Sequence, residues 1–369
     1  MERSIDIMNS KERMLTALHR GIPDRVPATV HQWQSYHLKT YMHGDTEIEA
    51  FKEIGLDAAA TYYPAYYKIP TRDWVETLTI RHKGDITITD HLVSTPDGEL
   101  SYQISSNKFT SWYSENLIKD YGDIYIFKKH YPRMAIKRKE LEQYYTLLGD
   151  AGIARCGIPS FQGGCYQAAQ VLYGTEKLIY ACYDNPEWVH EFLNTLLERK
   201  LEYIDEQLRY AKVDLVETGG GGSSDTVISP AFHKEFCEPY DRKIHDAIHR
   251  VGLPVVYHTC GGMMNIMDCI LVNGCDASET LSPPEIGGNI VDGAKVKEKL
   301  GSKLALIGGM DQITILTNGT PKQVKDEVKR LFKVYGKNGG YIMSACDHFF
   351  EVPVDNLKAY AEAAKECVY

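Results

Sequence analysis

Short apolar runs alternate with amphipathic stretches along most of this 369-residue chain. Helical spacing at residues 8–19 leads through the turn GIPDR into an apolar run at 26–30. The run at 57–61 follows a helix that begins near Thr46, the run at 152–158 follows one at 137–148, and the run at 213–217 follows a long one at 186–210. The later runs, at 254–257, 277–281, 304–307 and 341–344, are separated by further amphipathic stretches. Apolar runs of this length bounded by helical periodicity read as buried strands. Strands that alternate with helices form parallel βαβ units, and eight such units close a ring, so the pattern predicts an α/β fold of the TIM (β/α)8 barrel type. One stretch breaks the rhythm. Residues 74–103 contain TLTIRHKGDITITDHLV and STPDGELSYQ, whose alternation of period two and Asp-Gly turn predict β-hairpins inserted near the barrel mouth. With no repeat and no Pro- or Ser-rich linker, residues 1–369 are expected to form a single domain.

Composition narrows the function classes. Apolar residues make up 43% and charged residues 25%, which suits a chain with a large core. The net charge is −9, and the lysines and arginines are dispersed along helices such as 322–337, so no nucleic acid is expected as a partner. The first thirty residues lack an apolar signal region and no run of eighteen apolar residues occurs, which predicts a cytoplasmic protein with no membrane partner. Nine cysteines without a secretion signal point to small buried hydrophobes and a few ligands rather than disulfides.

The chemistry is expected where strands end on the functional face. The segment VYHTCGG ends the fifth strand in His258 and Cys260, and their i, i+2 spacing places both side chains on one face of an extended chain. Cys346 ends the eighth strand and can converge with them. Three protein ligands with one open position describe a catalytic zinc; a satisfied core histidine beside inert buried thiols is the plain alternative. Carboxylates end other strands: Glu217 after the fourth, Glu279 after the sixth and Asp311 after the seventh. Glu217, which could also occupy the fourth zinc position, and Asp311 are candidates for proton handling and Glu279 for substrate contact, against ordinary roles as caps or ion-pair partners. TGGGGSSD beside Glu217 has no P-loop lysine and so is no nucleotide site, although its glycines would let a bulky cofactor or a partner protein approach the backbone. After the first two strands, HQWQSYH and TYYPAYYK supply aromatic walls suited to a planar ligand, with His31, Trp33, Tyr62 and Tyr66 as candidate substrate contacts. Packing of the inserted hairpins is the competing role for any one tyrosine.

KERMLTALHRGIPDRVP, ISPAFHKEFCEPYDRKIHDAIHRVGLPVVYHTCGG, IGGMDQITILTNGTPKQVKDEV, GGYIMSAC and VPVDNLKAYAEA together resemble the uroporphyrinogen decarboxylase superfamily, especially its zinc-dependent, corrinoid-linked methyltransferase branch. The resemblance implies zinc bound by His258, Cys260 and Cys346. It departs from the decarboxylases in one respect: HQWQSYH carries no arginine where they have an Arg-rich stretch for the propionates of their substrate. The implied activity is therefore methyl transfer. In one direction the methyl group of a methoxylated, aromatic donor passes to the Co(I) corrinoid of a partner protein; in the other, a thiol such as coenzyme M is methylated. The aromatic loops and the insertion favour the first. No corrinoid motif of the Asp-x-His-x-x-Gly kind is present in the chain, so the cobalamin is expected on a corrinoid carrier protein, docked at an acidic rim and the glycine-rich loop. A homodimer is left open. A non-catalytic barrel that binds zinc or an aromatic ligand is the alternative from another class, with Cys269 and Cys275 badly placed to close such a site.

Overall fold

The computed structural model describes residues 7–62, 65–159 and 163–369. Its strands, in chain order, are β1 (Ala28–Thr29), β2 (Ala58–Thr61), β3 (Tyr66–Lys68), β4 (Val75–Lys83), β5 (Ile86–Thr95), β6 (Gly98–Ser106), β7 (Ser111–Glu115), β8 (Met134–Ile136), β9 (Gly152–Gly157), β10 (Leu215–Gly219), β11 (Val255–His258), β12 (Ala277–Thr280), β13 (Ala305–Met310) and β14 (Tyr341–Ala345). Eight of these form one parallel sheet in the order β1-β14-β13-β12-β11-β10-β9-β2, the expected TIM-type barrel with helices outside. No helix among the described residues is long and apolar enough to cross a membrane.

Local chemistry sets the helix limits. The helix Glu47–Ile54 starts at Thr46, whose side chain accepts from the Glu49 N–H while Glu49 reaches back to the cap, satisfying donors that the first turn cannot. The helix Pro321–Leu331 has the same box from Thr320 and Gln323, proline in its first turn, and Val324, Val328 and Leu331 buried, the i, i+4, i+7 stripe of an amphipathic helix. The expected helix at 186–210 stops at Glu206, with a separate turn at Leu208–Tyr210. The expected strand at 26–30 shrinks to Ala28–Thr29, because Pro27 has no N–H for the ladder and Val26 instead donates to the Cys367 carbonyl at 2.9 Å.

The insertion lies between β2 and β9 and is larger than the hairpins expected at 74–103. Strands β4 to β7 make a four-stranded antiparallel sheet that continues to Glu115, and β3 pairs with β8 where this unit leaves and rejoins the barrel. The end of the sheet was hard to read because SWYSE, with two aromatics among polar residues, is mostly exposed.

Inside the ring, Ala59, Ile153, Leu215, Val256, Ala277, Ala305, Ile307 and Ile342 pack with Met14, Ala17 and Leu18 of the helix Ser10–Leu18. That helix plugs the amino-terminal end of the barrel. It is anchored by Asp57, fully buried, which takes Arg13 Nη1 at 2.8 Å, Arg25 Nη1 at 2.8 Å, Ser10 Oγ at 2.7 Å and the Ala28 N–H at 3.0 Å. The Asp57 N–H also donates to the Ala28 carbonyl at 2.8 Å, tying β2 to β1 across the seam of the sheet. Asp57→Ala therefore removes a buried carboxylate shared by two guanidiniums, leaving Arg13 its pair with Asp24, and opens the seam. It should cost roughly 3–5 kcal/mol, read as a lowered denaturation midpoint; a loss below about 1 kcal/mol would show that the seam is held elsewhere.

Candidate metal centre and active site

Above the apolar layer the interior becomes polar. Strand register explains why: His258 is level with Glu279 across β11 and β12, and Gly157 with Glu217 across β9 and β10. Level residues on neighbouring strands share a face, and by alternation Arg155 joins Glu217, His258 and Glu279 on the inner one. The four form a buried network. Arg155 Nη2 donates to Glu217 Oε2 and to Glu279 Oε1, both at 2.8 Å, and His258 Nδ1 lies 3.0 Å from the same Glu279 oxygen. Burial would push the Glu279 carboxyl up, but Arg155, then His258 and His31, hold it well below the usual carboxylate range. Burial likewise works against a charged His258, yet the Cys260 sulfur, Glu279 and Glu217 outweigh it and raise its pKa. His31, with no comparable partner, is pushed down to about 4 by burial.

These groups open onto a cavity of about 350 Å³ whose wall includes His31, Tyr62, Tyr66, Glu217, His258, Cys260, Asp347 and His348. Among the described residues of that wall none is Arg or Lys. A metal ion is implied by the resemblance, and the donor chemistry fits one. His258, Cys260 and Asp347 offer ligand atoms all within 4.8 Å of one another, as do His31, Glu217 and His258. Glu279 occupies one ring nitrogen of His258, the arrangement that fixes an imidazole for a metal on the other. His31 Nδ1 is buried without a hydrogen-bond partner.

The expected site residues separate into two groups. His31, Tyr62, Tyr66, Glu217, His258 and Cys260 meet at the cavity; Tyr63, from the same aromatic loop, lies outside the described residues. Cys346 stands apart. Its thiol is fully buried, directed to the Leu281 carbonyl at 3.8 Å, and pushed up by burial, and its neighbour Asp347 is the residue on the cavity wall. Glu279, expected to touch substrate, is 1% exposed and lies behind His258, because Arg155 draws it into the interior. Trp33 packs edge-on against Phe51 and Phe349 and is absent from the wall. Asp311 caps the turn after β13, accepting from the Ile313 and Thr314 N–H groups at 2.7 and 2.8 Å.

The glycine run packs closely against its neighbours. A Cβ on Gly220 would stand 2.5 Å from Gln167 Cγ, and one on Gly221 would stand 2.6 Å from the Cys260 sulfur. These glycines let the loop close over Cys260. Sequence reasoning overlooked Arg155, Asp347 and His348. A charged residue inside the apolar strand GIARCG was a usable signal for Arg155, since an interior guanidinium needs buried carboxylates; the other two directly follow Cys346.

The family model for uroporphyrinogen decarboxylase (URO-D) matches residues 146–367. The chain is 28% identical over 191 residues to a uroporphyrinogen decarboxylase of Pseudomonas fluorescens, covering 50% of each chain. It is 28% identical over 175 residues to a methylcobamide:CoM methyltransferase of Methanosarcina acetivorans, covering 45% of this chain and 47% of that one. It spans about half the length of these curated relatives. A solved methyltransferase from Methanosarcina mazei has a similar fold, with a TM-score of 0.66 at 15% identity over 97% of this chain and 99% of that one.

The aromatic loop over the cavity carries a pH-dependent contact of its own. Glu47 accepts from the Thr61 N–H at 3.1 Å and from Tyr144 Oη at 3.0 Å, and burial pushes its pKa up to about 7. Folding then favours the protonated acid, so stability present below about pH 4.5 is lost as pH rises towards 7. Glu47→Gln should be more stable than the parent by roughly 1–3 kcal/mol at pH 8 and no more stable at pH 4; thermal melts at the two pH values measure this, and an equal difference at both would sink the assignment.

Proposed function

This chain belongs to the uroporphyrinogen decarboxylase family, and on that premise we propose that it is a zinc-dependent methyltransferase that moves a methyl group from a methoxylated aromatic donor to the corrinoid of a carrier protein. The observation that carries the reading is the wall of the cavity. It sets His258, Cys260 and Asp347 beside Tyr62 and Tyr66 and, among its described residues, has no Arg or Lys to hold a substrate rich in carboxylates. Arg155, the nearby guanidinium, is already engaged by two carboxylates. Decarboxylation of a polycarboxylate is disfavoured for that reason.

His258 and Cys260 hold the metal in this reading, with the third ligand from the Cys346–Asp347 turn: Cys346 by resemblance, Asp347 by its present position. When bound, zinc supplies a Lewis acid at the donor oxygen and the corrinoid of the carrier supplies the methyl acceptor. The chain's own residues do the rest. Arg155 keeps Glu279 ionised, and Glu279 keeps the His258 ring oriented. Glu217, its side chain 31% exposed and one oxygen on Arg155, faces the cavity and is placed to take up or give back a proton at the donor oxygen. Tyr62 and Tyr66 flank the space for the arene. A second reading reverses the direction, methylating a thiol, and is favoured by the likeness to the coenzyme M methyltransferase of Methanosarcina acetivorans.

The purified protein should contain about one zinc per chain, and with methoxybenzoates it should convert Co(I) carrier to the methylated form, followed by cobalt absorbance. Cys260→Ser should abolish both zinc and turnover. Cys346→Ser and Asp347→Asn, assayed for zinc alone, identify the third ligand by which one loses it. Methyl-Co(III) carrier consumed only on addition of coenzyme M would replace the first reading by the second; retention of full activity without zinc would remove both. Gly221→Ala, which crowds the Cys260 sulfur, should lower kcat by about 10²-fold if ligand placement limits the reaction, with thermal stability changed far less.

A further inference from the structure

A second cavity, of about 230 Å³, lies between the inserted sheet and the barrel mouth, with Tyr66, Lys68, Trp74, Tyr102, Tyr113 and Tyr131 in its wall. Tyr66 lines this chamber and the metal cavity alike. The two are therefore neighbours separated by one tyrosine. We propose that the chamber is the binding site for the ring of the methyl donor, and that it selects an aromatic compound carrying an anionic substituent, such as a carboxylate. The proposal rests on the methyl-transfer reading for the role of the ligand, though not for its binding.

Three observations carry it. The walls are aromatic and fixed: Trp74 stands edge-on to Tyr131 at 5.2 Å and Tyr102 stacks with Tyr113 at 5.7 Å. Rings held in this way offer faces and edges to another ring, and about 230 Å³ is below the roughly 300–1,000 Å³ of sites for larger ligands, so one substituted ring is the matching size. Next, Trp74 is 6% exposed and its indole N–H has no partner. A buried donor without an acceptor is costly, and an acceptor on a ligand would satisfy it. Last, Lys68 is the one charged side chain among the described residues of the wall. Its ammonium is 3.1 Å from Glu76 and 5.6 Å from the centre of the Tyr131 ring. Glu76 also takes His91 Nδ1 at 2.7 Å and the Tyr102 hydroxyl, so it is well supplied with donors. A cation in an aromatic chamber repels ammonium compounds, which such walls would otherwise attract, and favours an anion. The chamber is built from the insertion and its flanks, all outside the segment matched by the family model.

The test is equilibrium binding by calorimetry with 3-methoxybenzoate, methoxybenzene and phenyltrimethylammonium, on the parent, Lys68→Met and Trp74→Phe. Expected results are tightest binding of 3-methoxybenzoate, weakened about tenfold in Lys68→Met with little change for methoxybenzene, and weakened roughly fivefold in Trp74→Phe, which keeps an aromatic ring and removes the N–H. Absence of binding to the parent, equal affinity in the Lys68 and Trp74 variants, or tighter binding of phenyltrimethylammonium would each overturn the proposal. Its failure is separable from that of the methyl-transfer reading. Binding with these dependences but without methylation of Co(I) upholds the chamber and removes the methyl-donor role; methylation with unaltered affinity in both chamber variants upholds the role and removes the chamber.

Discussion

An ionised carboxylate sealed in a protein interior must be surrounded by donors or it will not stay ionised, and Glu279 is 1% exposed at the centre of this barrel. Arg155 and His258 meet that demand on a single oxygen. Each is in turn committed: Arg155 also binds Glu217, and His258 presents its other nitrogen toward the cavity that holds Cys260. The arrangement ties strands β9, β10, β11 and β12 together above the apolar layer of the interior. Without Glu279, Arg155 would lose one of the two carboxylates it binds and His258 would lose the partner that orients its ring.

The same strands account for the clustering of potential metal ligands at the site. A strand that ends in His-Thr-Cys directs the first and third side chains one way, but the thiol reaches its place only because the glycine loop after β10 passes close over it. The turn after β14 completes the set from across the ring. It carries two candidate ligands in succession, Cys346 and Asp347: Asp347 is on the cavity wall, and the Cys346 thiol is turned to the Leu281 carbonyl.

Most of the architecture was legible in the sequence because a parallel barrel buries both faces of its strands, and continuous apolar runs between amphipathic helices suit few folds besides. That His258 and Cys260 meet at the cavity was legible for a related reason, since polar residues at the end of such runs have to face the mouth. Glu279 and Asp311 show the limit of that rule. Both end strands as Glu217 does, yet one is drawn inward by an arginine from three strands away and the other turns to cap the backbone that follows it. The arginine is not visible without the register of the sheet, whereas the cap is the ordinary role already weighed for Asp311. Trp33 and the extent of the inserted sheet were missed for a different reason. Aromatic residues serve cores and binding walls equally well, and strands exposed on both faces lose the alternation that marks a half-buried one.

The two halves of the site have different origins in the chain. The residues that orient a metal and neutralise one another, from Arg155 to Asp347, fall within the segment shared with the family. The aromatic walls, Tyr62, Tyr66 and the tyrosines and tryptophan of the insertion, precede it. A barrel permits this division because each loop at its mouth can lengthen without disturbing the register of the ring. The inserted sheet makes such use of the loop after β2, and by pairing β3 with β8 it is fastened to the rim beside the metal cavity. Under the proposed reading, selection of the donor and handling of its methyl group fall to separate parts of the chain that meet at Tyr66. Changes in the insertion can alter which ring is held while the charge network around Glu279 remains as it is.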